Sequence, residues 1–310
     1  MANGNIIFFG TSQICIPFLD KLIDNFEIKL IITQPDSFGG RHKKKIISPV
    51  KSFALEKNIK LEQPENLKDK KITEAIEKTG PDIGIVISYG KFIPETIFRT
   101  PRFKTINVHF SLLPLYRGAA PVQRAIENGE KKTGITIFEI DKKMDTGDIW
   151  SQKEYKISEL DTTESLLQTL SINGSLFLIE TVEKIFKGKI NKYPQDNERA
   201  TYAKTIEKKE GKIDWNLNAH QIFNKFRAFY PWPGIFFFID NKLIKIKKLA
   251  LSNTNHDKNP GTILNINKNS ITICCGCNSV LEILEIQPEG KSPMTPYHFS
   301  LGNKLPENLN

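Results

Sequence analysis

Asp82-Ile83-Gly84-Ile85-Val86-Ile87 decides the fold of this chain. From Ile83 onward the run is apolar or small with no polar alternation. That describes a strand buried on both faces, the kind found in parallel sheets covered by helices on each side. Reading outward, Asn5-Ile6-Ile7-Phe8-Phe9 is a strand of the same type that stops at Gly10, after which Ile14, Phe18, Leu19 and Leu22 repeat at helical spacing. A second strand is predicted over 27–33. Pro49 stands where a helix favours proline, ahead of Val50, Phe53, Ala54 and Leu55. A short strand near Lys60 and Leu61 and a helix over 68–78 follow. Downstream, Thr105-Ile106-Asn107-Val108-His109 reads as another strand end. Strand alternating with helix to residue 125 predicts an α/β fold built on a doubly wound, mostly parallel sheet. Stretches 133–140 and 148–157 read as two further strands, antiparallel and at one edge. A long leucine-rich helix, framed at its start by Asp161 and Glu164, closes a first domain over 1–188.

Residues 189–211 turn polar and read as a linker, pinned locally by Tyr193, Pro194 and Tyr202. A second domain over 212–310 begins with a short helix carrying Ile222, Phe223, Phe226 and Phe229. Five short strands follow, over 235–239, 243–249, 262–266, 271–275 and 280–286, and predict a small, open, OB-like β-barrel. Lys242, Lys245, Lys247 and Lys248 give its second strand a basic face. Such a face is ordinarily just solvated, but on a tethered barrel it also suits a phosphate backbone.

With 39% hydrophobic and 25% charged residues, the composition is that of a soluble globular protein. No apolar run approaches the roughly 18 residues that cross a bilayer. The N-terminus enters a strand without a basic start or a small-residue cleavage site, so a cytoplasmic, membrane-free protein is expected. Four cysteines imply no disulfide framework there. Cys274-Cys275-Gly276-Cys277 has no second Cys or His pair at ligand spacing and is expected as a buried strand interior, not a metal site. Gly10-Thr11-Ser12-Gln13 lacks the later glycines of a pyrophosphate loop, and no Walker lysine occurs, which excludes nicotinamide and ATP. The net charge of +9 favours a polyanionic partner.

Ligands of doubly wound folds bind at the carboxyl ends of the strands, here Ser88-Tyr89-Gly90 and Asn107 to His109. Side chains two apart on a strand share a face, so Asn107 and His109 point into one space. An amide donor beside an imidazole suits the polarisation of a carbonyl and the oxyanion that follows. Asp145, in the Gly-containing turn after Ile135-Thr136-Ile137-Phe138, is the candidate to orient the imidazole and balance its charge. A lone histidine at a strand end is more often structural, and an Asp-Thr-Gly turn is usually only a turn. Near this edge, Phe38-Gly39-Gly40-Arg41-His42-Lys43-Lys44-Lys45 forms a basic loop with no acid between Ser37 and Leu55. It reads as a solvated loop in isolation, and as a phosphate grip beside an active site.

The whole run goes further. Asn107 to His109, Ser111-Leu112-Leu113-Pro114, Arg117-Gly118-Ala119-Ala120-Pro121-Val122-Gln123 and Met144-Asp145-Thr146-Gly147-Asp148 together resemble the formyltransferases that use 10-formyltetrahydrofolate. Within them the likeness is nearest to members acting on initiator methionyl-tRNA. It covers nearly the whole chain, from Thr33-Gln34-Pro35-Asp36 to Ile213-Asp214-Trp215 and Pro231-Trp232-Pro233. The resemblance implies a formyltransferase-like Rossmann variant in front and a C-terminal barrel that helps grip tRNA. It implies Asn107, His109 and Asp145 as the catalytic trio. It also implies a folate co-substrate site at Ser111, Leu112, Leu113 and Pro114 beside Ser88, Tyr89 and Gly90. Arg41, Lys43, Lys44 and Lys45 become the tRNA-binding loop, with no metal and a monomeric chain. The same trio would also serve a sugar amine, glycinamide ribotide or the hydrolysis of formyl-folate. A non-catalytic RNA-binding protein is the remaining reading, and it would have no need of a His–Asp pair.

Overall fold

The computed structural model describes residues 4–39 and 44–309. The chain divides into two compact units, Met1–Pro121 with Lys132–Lys156 and Leu166–Lys204, and Val122–Lys131 with Ile157–Ser165 and Thr205–Asn310.

The first unit is built on seven strands: β1 Asn5–Gly10, β2 Glu27–Ile32, β3 Leu61–Glu62, β4 Ile83–Ile87, β5 Thr105–His109, β6 Lys132–Glu139 and β7 Ile149–Lys156. They lie side by side in the order β7-β6-β5-β4-β1-β2-β3. The five from β3 to β5 run parallel, while β6 and β7 are antiparallel at the edge, as their sequences predict. All five residues of β4 are buried, which is what its unbroken apolar run requires. The chain winds outward to β3, then crosses back past β1 to β4, so the order reverses between β1 and β4. The Ser12 hydroxyl donates to Ser88 Oγ at 2.8 Å across the carboxyl ends of those two strands.

Helices α1 Ile16–Asn25, α2 Pro49–Glu56, α3 Lys70–Glu77, α4 Glu95–Phe98, α5 Pro121–Glu127 and α6 Thr163–Phe186 alternate with the strands. One core joins Ile7, Phe9, Leu30, Ile32 and Val86 of the sheet to Ile72 and Ile76 of α3 and Ile97 and Phe98 of α4. Each such buried side chain contributes about 1.5–3 kcal/mol. Elsewhere, a Cβ on Gly174 of α6 would come within 2.8 Å of Ile135 and 3.0 Å of Phe18, so the absent side chain is what lets helix and strand approach.

In the second unit, α7 Ala219–Ala228 starts on a capping box in which Asn218 and Gln221 each accept the other's backbone N–H. Strands β8 Phe236–Ile239, β9 Lys242–Ser252, β10 Ile263–Ile266, β11 Ile271–Cys274 and β12 Val280–Pro288 form an antiparallel sheet, order β8-β9-β12-β11-β10, curled as a half-barrel. Asp240 and Asn241 take φ of 47° and 61°, the left-handed pair that a tight hairpin turn demands. One expectation is corrected. β11 stops at Cys274, Cys275 is buried, and Cys277 is exposed in a turn with φ 54°, so the cysteine run is not one strand interior. The polar stretch 189–211 is shared between the units. Tyr193 bridges to Ile149, and Tyr202–Ala203 pairs parallel with Arg117–Gly118 in the first unit.

Candidate active site

β5 delivers Asn107 and His109 from mid-sheet, opposite Phe138 and Thr136 of β6. His109 is only 6% exposed, and its ring stands edge-on to Phe138 at 6.4 Å. Its Nε2 lies 2.9 Å from the Tyr116 carbonyl, which can only accept, so Nε2 carries a proton and donates. That bond fixes the ring and turns Nδ1 toward Asp145, whose Oδ2 is 3.8 Å away. The same Oδ2 accepts the Gly118 N–H at 2.7 Å. Asn107 is half-buried, and none of the hydrogen bonds among the described residues uses its amide. The amide therefore remains free to donate to a ligand.

The local backbone is bent to achieve this. Tyr116 and Asp145 have φ of 58° and 55°, a region most side chains avoid. Gly118, at φ 118°, lies so close to the adjoining strand that a Cβ would come within 2.7 Å of Ala203 O. Gly147 is tighter still, because a Cβ there would fall 1.7 Å from Glu139 O. The glycines of the Arg117-Gly118 and Asp145-Thr146-Gly147 motifs are thus close-approach positions.

A cavity of about 810 Å³ opens beside the Asp145 loop, lined among others by Phe98, Ile140, Lys142, Thr146, Asn197 and Tyr202. Its volume lies in the range of small-molecule sites. The seven residues expected around folate sit differently, and none of them lines this cavity. Ser111 is buried, donates to Leu115 O at 2.6 Å and accepts Thr136 Oγ1 through its carbonyl at 2.6 Å. Leu113 joins a small core with Phe138 and Ile149, while Leu112 and Pro114 are half-buried. The Tyr89 ring belongs to the sheet core, and burial pushes its hydroxyl up to about 12. The Tyr89 carbonyl accepts Thr11 Oγ1 and the Gln34 amide. Ser88 (φ 46°) and Gly90 (φ 77°) form the bend around it.

The basic loop forms a short hairpin, Ser37–Gly39 against Lys44–Ile46. Arg41 and Lys43 lie outside the described residues, as does the side chain of Lys44. Lys45 is 57% exposed on its side chain and pairs with Asp36 at 2.9 Å. Hydrogen bonding from Gln63, then from Lys51 and Lys45, holds the Asp36 carboxyl well below the usual carboxylate range.

Sequence reading missed two contributors. Tyr116 acts through its carbonyl, which no side-chain pattern reports. Gln195 is 8% exposed within a stretch that looks like a linker, and it donates to the carbonyls of Asp145 at 3.0 Å and Gly147 at 2.8 Å.

Residues 4–182 match the family model described as formyl transferase, and residues 205–304 match formyl transferase, C-terminal domain. The chain belongs to the formyl transferase family. It is 43% identical over 303 residues to methionyl-tRNA formyltransferase of Sulfurihydrogenibium sp., covering 97% of each chain. It is 42% identical over 310 residues to the enzyme of that name from Thermodesulfovibrio yellowstonii, covering 100% of this chain and 99% of that one. Among solved structures, an N-formyltransferase from Helicobacter canadensis, in complex with folinic acid and dTDP-3-aminofucose, shares the fold. Its TM-score is 0.71 at 21% identity, with 90% of this chain and 98% of that chain covered.

Proposed function

We propose that this chain transfers the formyl group of 10-formyltetrahydrofolate to the α-amino group of initiator methionyl-tRNA, giving N-formylmethionyl-tRNA for translation initiation. The observation that carries the reading is the His109–Asp145 pair, 3.8 Å apart with the far ring nitrogen locked on Tyr116 O. Bound formyl-folate supplies the carbonyl carbon that the amine attacks. Asn107 and a protonated His109 Nδ1 donate to the oxygen as it becomes an anion. Asp145 serves as the counter-charge of that imidazolium. A water held by Asp145 relays the proton leaving the amine to that carboxylate, and one returns to the folate nitrogen as the C–N bond breaks.

In this reading the cavity beside the Asp145 loop receives one part of the folate, and Ser88, Tyr89, Gly90 and the Ser111 to Pro114 corner, which lie outside its lining, meet the rest. The first unit performs transfer. The second, with its half-barrel, and the loop bearing Arg41, Lys43, Lys44 and Lys45 grip the tRNA of a monomeric, cytoplasmic enzyme. Purified protein given 10-formyltetrahydrofolate should formylate methionyl-tRNA and leave glycinamide ribotide and an amino-sugar nucleotide untouched. Faster transfer to either control acceptor would overturn the tRNA assignment.

A further inference from the structure

A buried arginine normally faces a carboxylate, and Arg117 does not. It is 3% exposed, yet Nε and Nη2 donate to Gln195 Oε1 at 3.1 and 2.7 Å, and Nη2 donates to Asn197 Oδ1 at 2.7 Å. Among the described residues no acid lies within ion-pair distance of it. The fork has one consequence. Because a guanidinium only donates, it holds the carbonyl end of the Gln195 amide and points the NH₂ end the other way. That NH₂ end meets the carbonyls of Asp145 and Gly147, the two residues at which the catalytic loop is most constrained. The stretch around Gln195 also touches the other half of the pair. Thr201 Oγ1 accepts the Tyr116 N–H at 2.8 Å, Thr201 O accepts the Arg117 N–H at 2.9 Å, and Tyr116 O is the acceptor for His109.

We infer that residues 193–203 are a strap that sets the His109–Asp145 separation, with Gln195, oriented by Arg117, as a positioning residue for the transfer step. Asp145 holds a left-handed backbone without a glycine's freedom, so something outside the loop must fix its carbonyl, and Gln195 does. The inference rests on the proposed transfer and deepens it.

The test uses the full chain. Gln195→Glu keeps volume and the oxygen facing Arg117, gaining an ion pair there, but it presents acceptors to two carbonyls that need donors. Beside Arg117 the new carboxyl stays ionised. The melting temperature should hold or rise, while kcat falls on the order of 10²-fold, the cost of displacing a catalytic group by about 1 Å. The KM values for formyl-folate and tRNA should stay within about threefold, since no binding group is touched. Glu198→Ala, an exposed change in the same strap that leaves both Gln195 donors and the cavity lining in place, should keep wild-type kcat. In an Asp145→Asn background, Gln195→Glu should cost little more, because its effect runs through that carboxylate. The His109 Nδ1 chemical shift, assigned with His109→Ala, should move in Gln195→Glu and stay in Glu198→Ala. That readout needs no acceptor, so it separates failure of the strap from failure of the methionyl-tRNA assignment. If Gln195→Glu does not fold, Arg117→Lys gives the same readout, since it keeps the charge but loses the fork that aims the amide. A wild-type kcat and an unmoved His109 resonance in the folded variant, or a loss that multiplies fully with Asp145→Asn, would overturn the inference.

Discussion

The Asp145 loop and strand β9 treat charge in opposite ways. In the loop, one carboxylate is held by a Gly118 N–H, faces an imidazole and has its backbone anchored by Gln195, all within buried or half-buried surroundings. In β9, Ile244 and Ile246 face the core while Lys242 and Lys248 are exposed. Two bulges, at Ile246/Lys248 and Lys248/Leu249, break the alternation, and Lys248 reaches only Glu285, at 3.5 Å. A bulge redirects a side chain without burying it. Under the proposed function, a charge that acts at one atom is immobilised, whereas charge offered to a long polyanion is displayed and left free to adjust. The first kind tolerates almost no substitution. The second is distributed over several residues, each worth little.

The largest effect should come from His109→Ala. Transfer should fall on the order of 10³-fold, within the span that general acid–base groups supply. The melting temperature should change little, as steady-state kinetics with thermal unfolding will tell. Gly147→Ala comes next, because its Cβ cannot coexist with Glu139 O. We expect about 2 kcal/mol of destabilisation and a kcat loss on the order of 10²-fold, the loop shifting to make room. If Gly147→Ala retains wild-type turnover, the loop is not the rigid half of the contrast.

Removing display charges should act on binding alone. Arg41→Ala, Lys43→Ala and Lys45→Ala together should raise the KM for tRNA and reduce the slope of log affinity against log salt by about two to three, with kcat kept. Lys247→Ala with Lys248→Ala should reduce that slope by about two at most and leave stability within about 0.5 kcal/mol. A salt slope unchanged in both sets would remove the polyanion from the account.

The smallest effect concerns the root of the basic hairpin. Gln63, Lys51 and Lys45 hold Asp36 below the usual carboxylate range. A depressed carboxylate contributes stability above its unfolded value of about 3.9, and that contribution is lost as pH falls through the folded value. Asp36→Asn should therefore differ from wild type in hydrogen exchange near 44–46 at pH 7 and converge with it in strong acid. A difference that grows as pH falls would reverse the sign of this argument.

How much of this was legible depended on whether a residue's role leaves a pattern. β4 announced itself because burial on both faces forces an unbroken apolar run. Asn107 and His109 were legible as a pair from strand periodicity and Asp145 as a candidate partner from its Gly-containing turn, while the motif resemblance joined the three, since no local rule links residues so far apart. Tyr116 was invisible because backbone carbonyls have no sequence signature. Gln195 was hidden for a different reason. A single amide in a polar stretch looks like solvated linker, and only the three-dimensional meeting with Arg117 makes it a buried clamp. The cysteine run misled because its composition matches a strand, while the left-handed Cys277 and Asn278 had already ended one.

The most direct test is single-turnover transfer from 10-formyltetrahydrofolate to methionyl-tRNA by Asp145→Asn. The amide keeps an oxygen for the Gly118 N–H, so the fold and substrate binding should persist, while the counter-charge and proton acceptor are lost. The account predicts a rate lower on the order of 10³-fold with both substrates still bound. A rate within tenfold of wild type would contradict it.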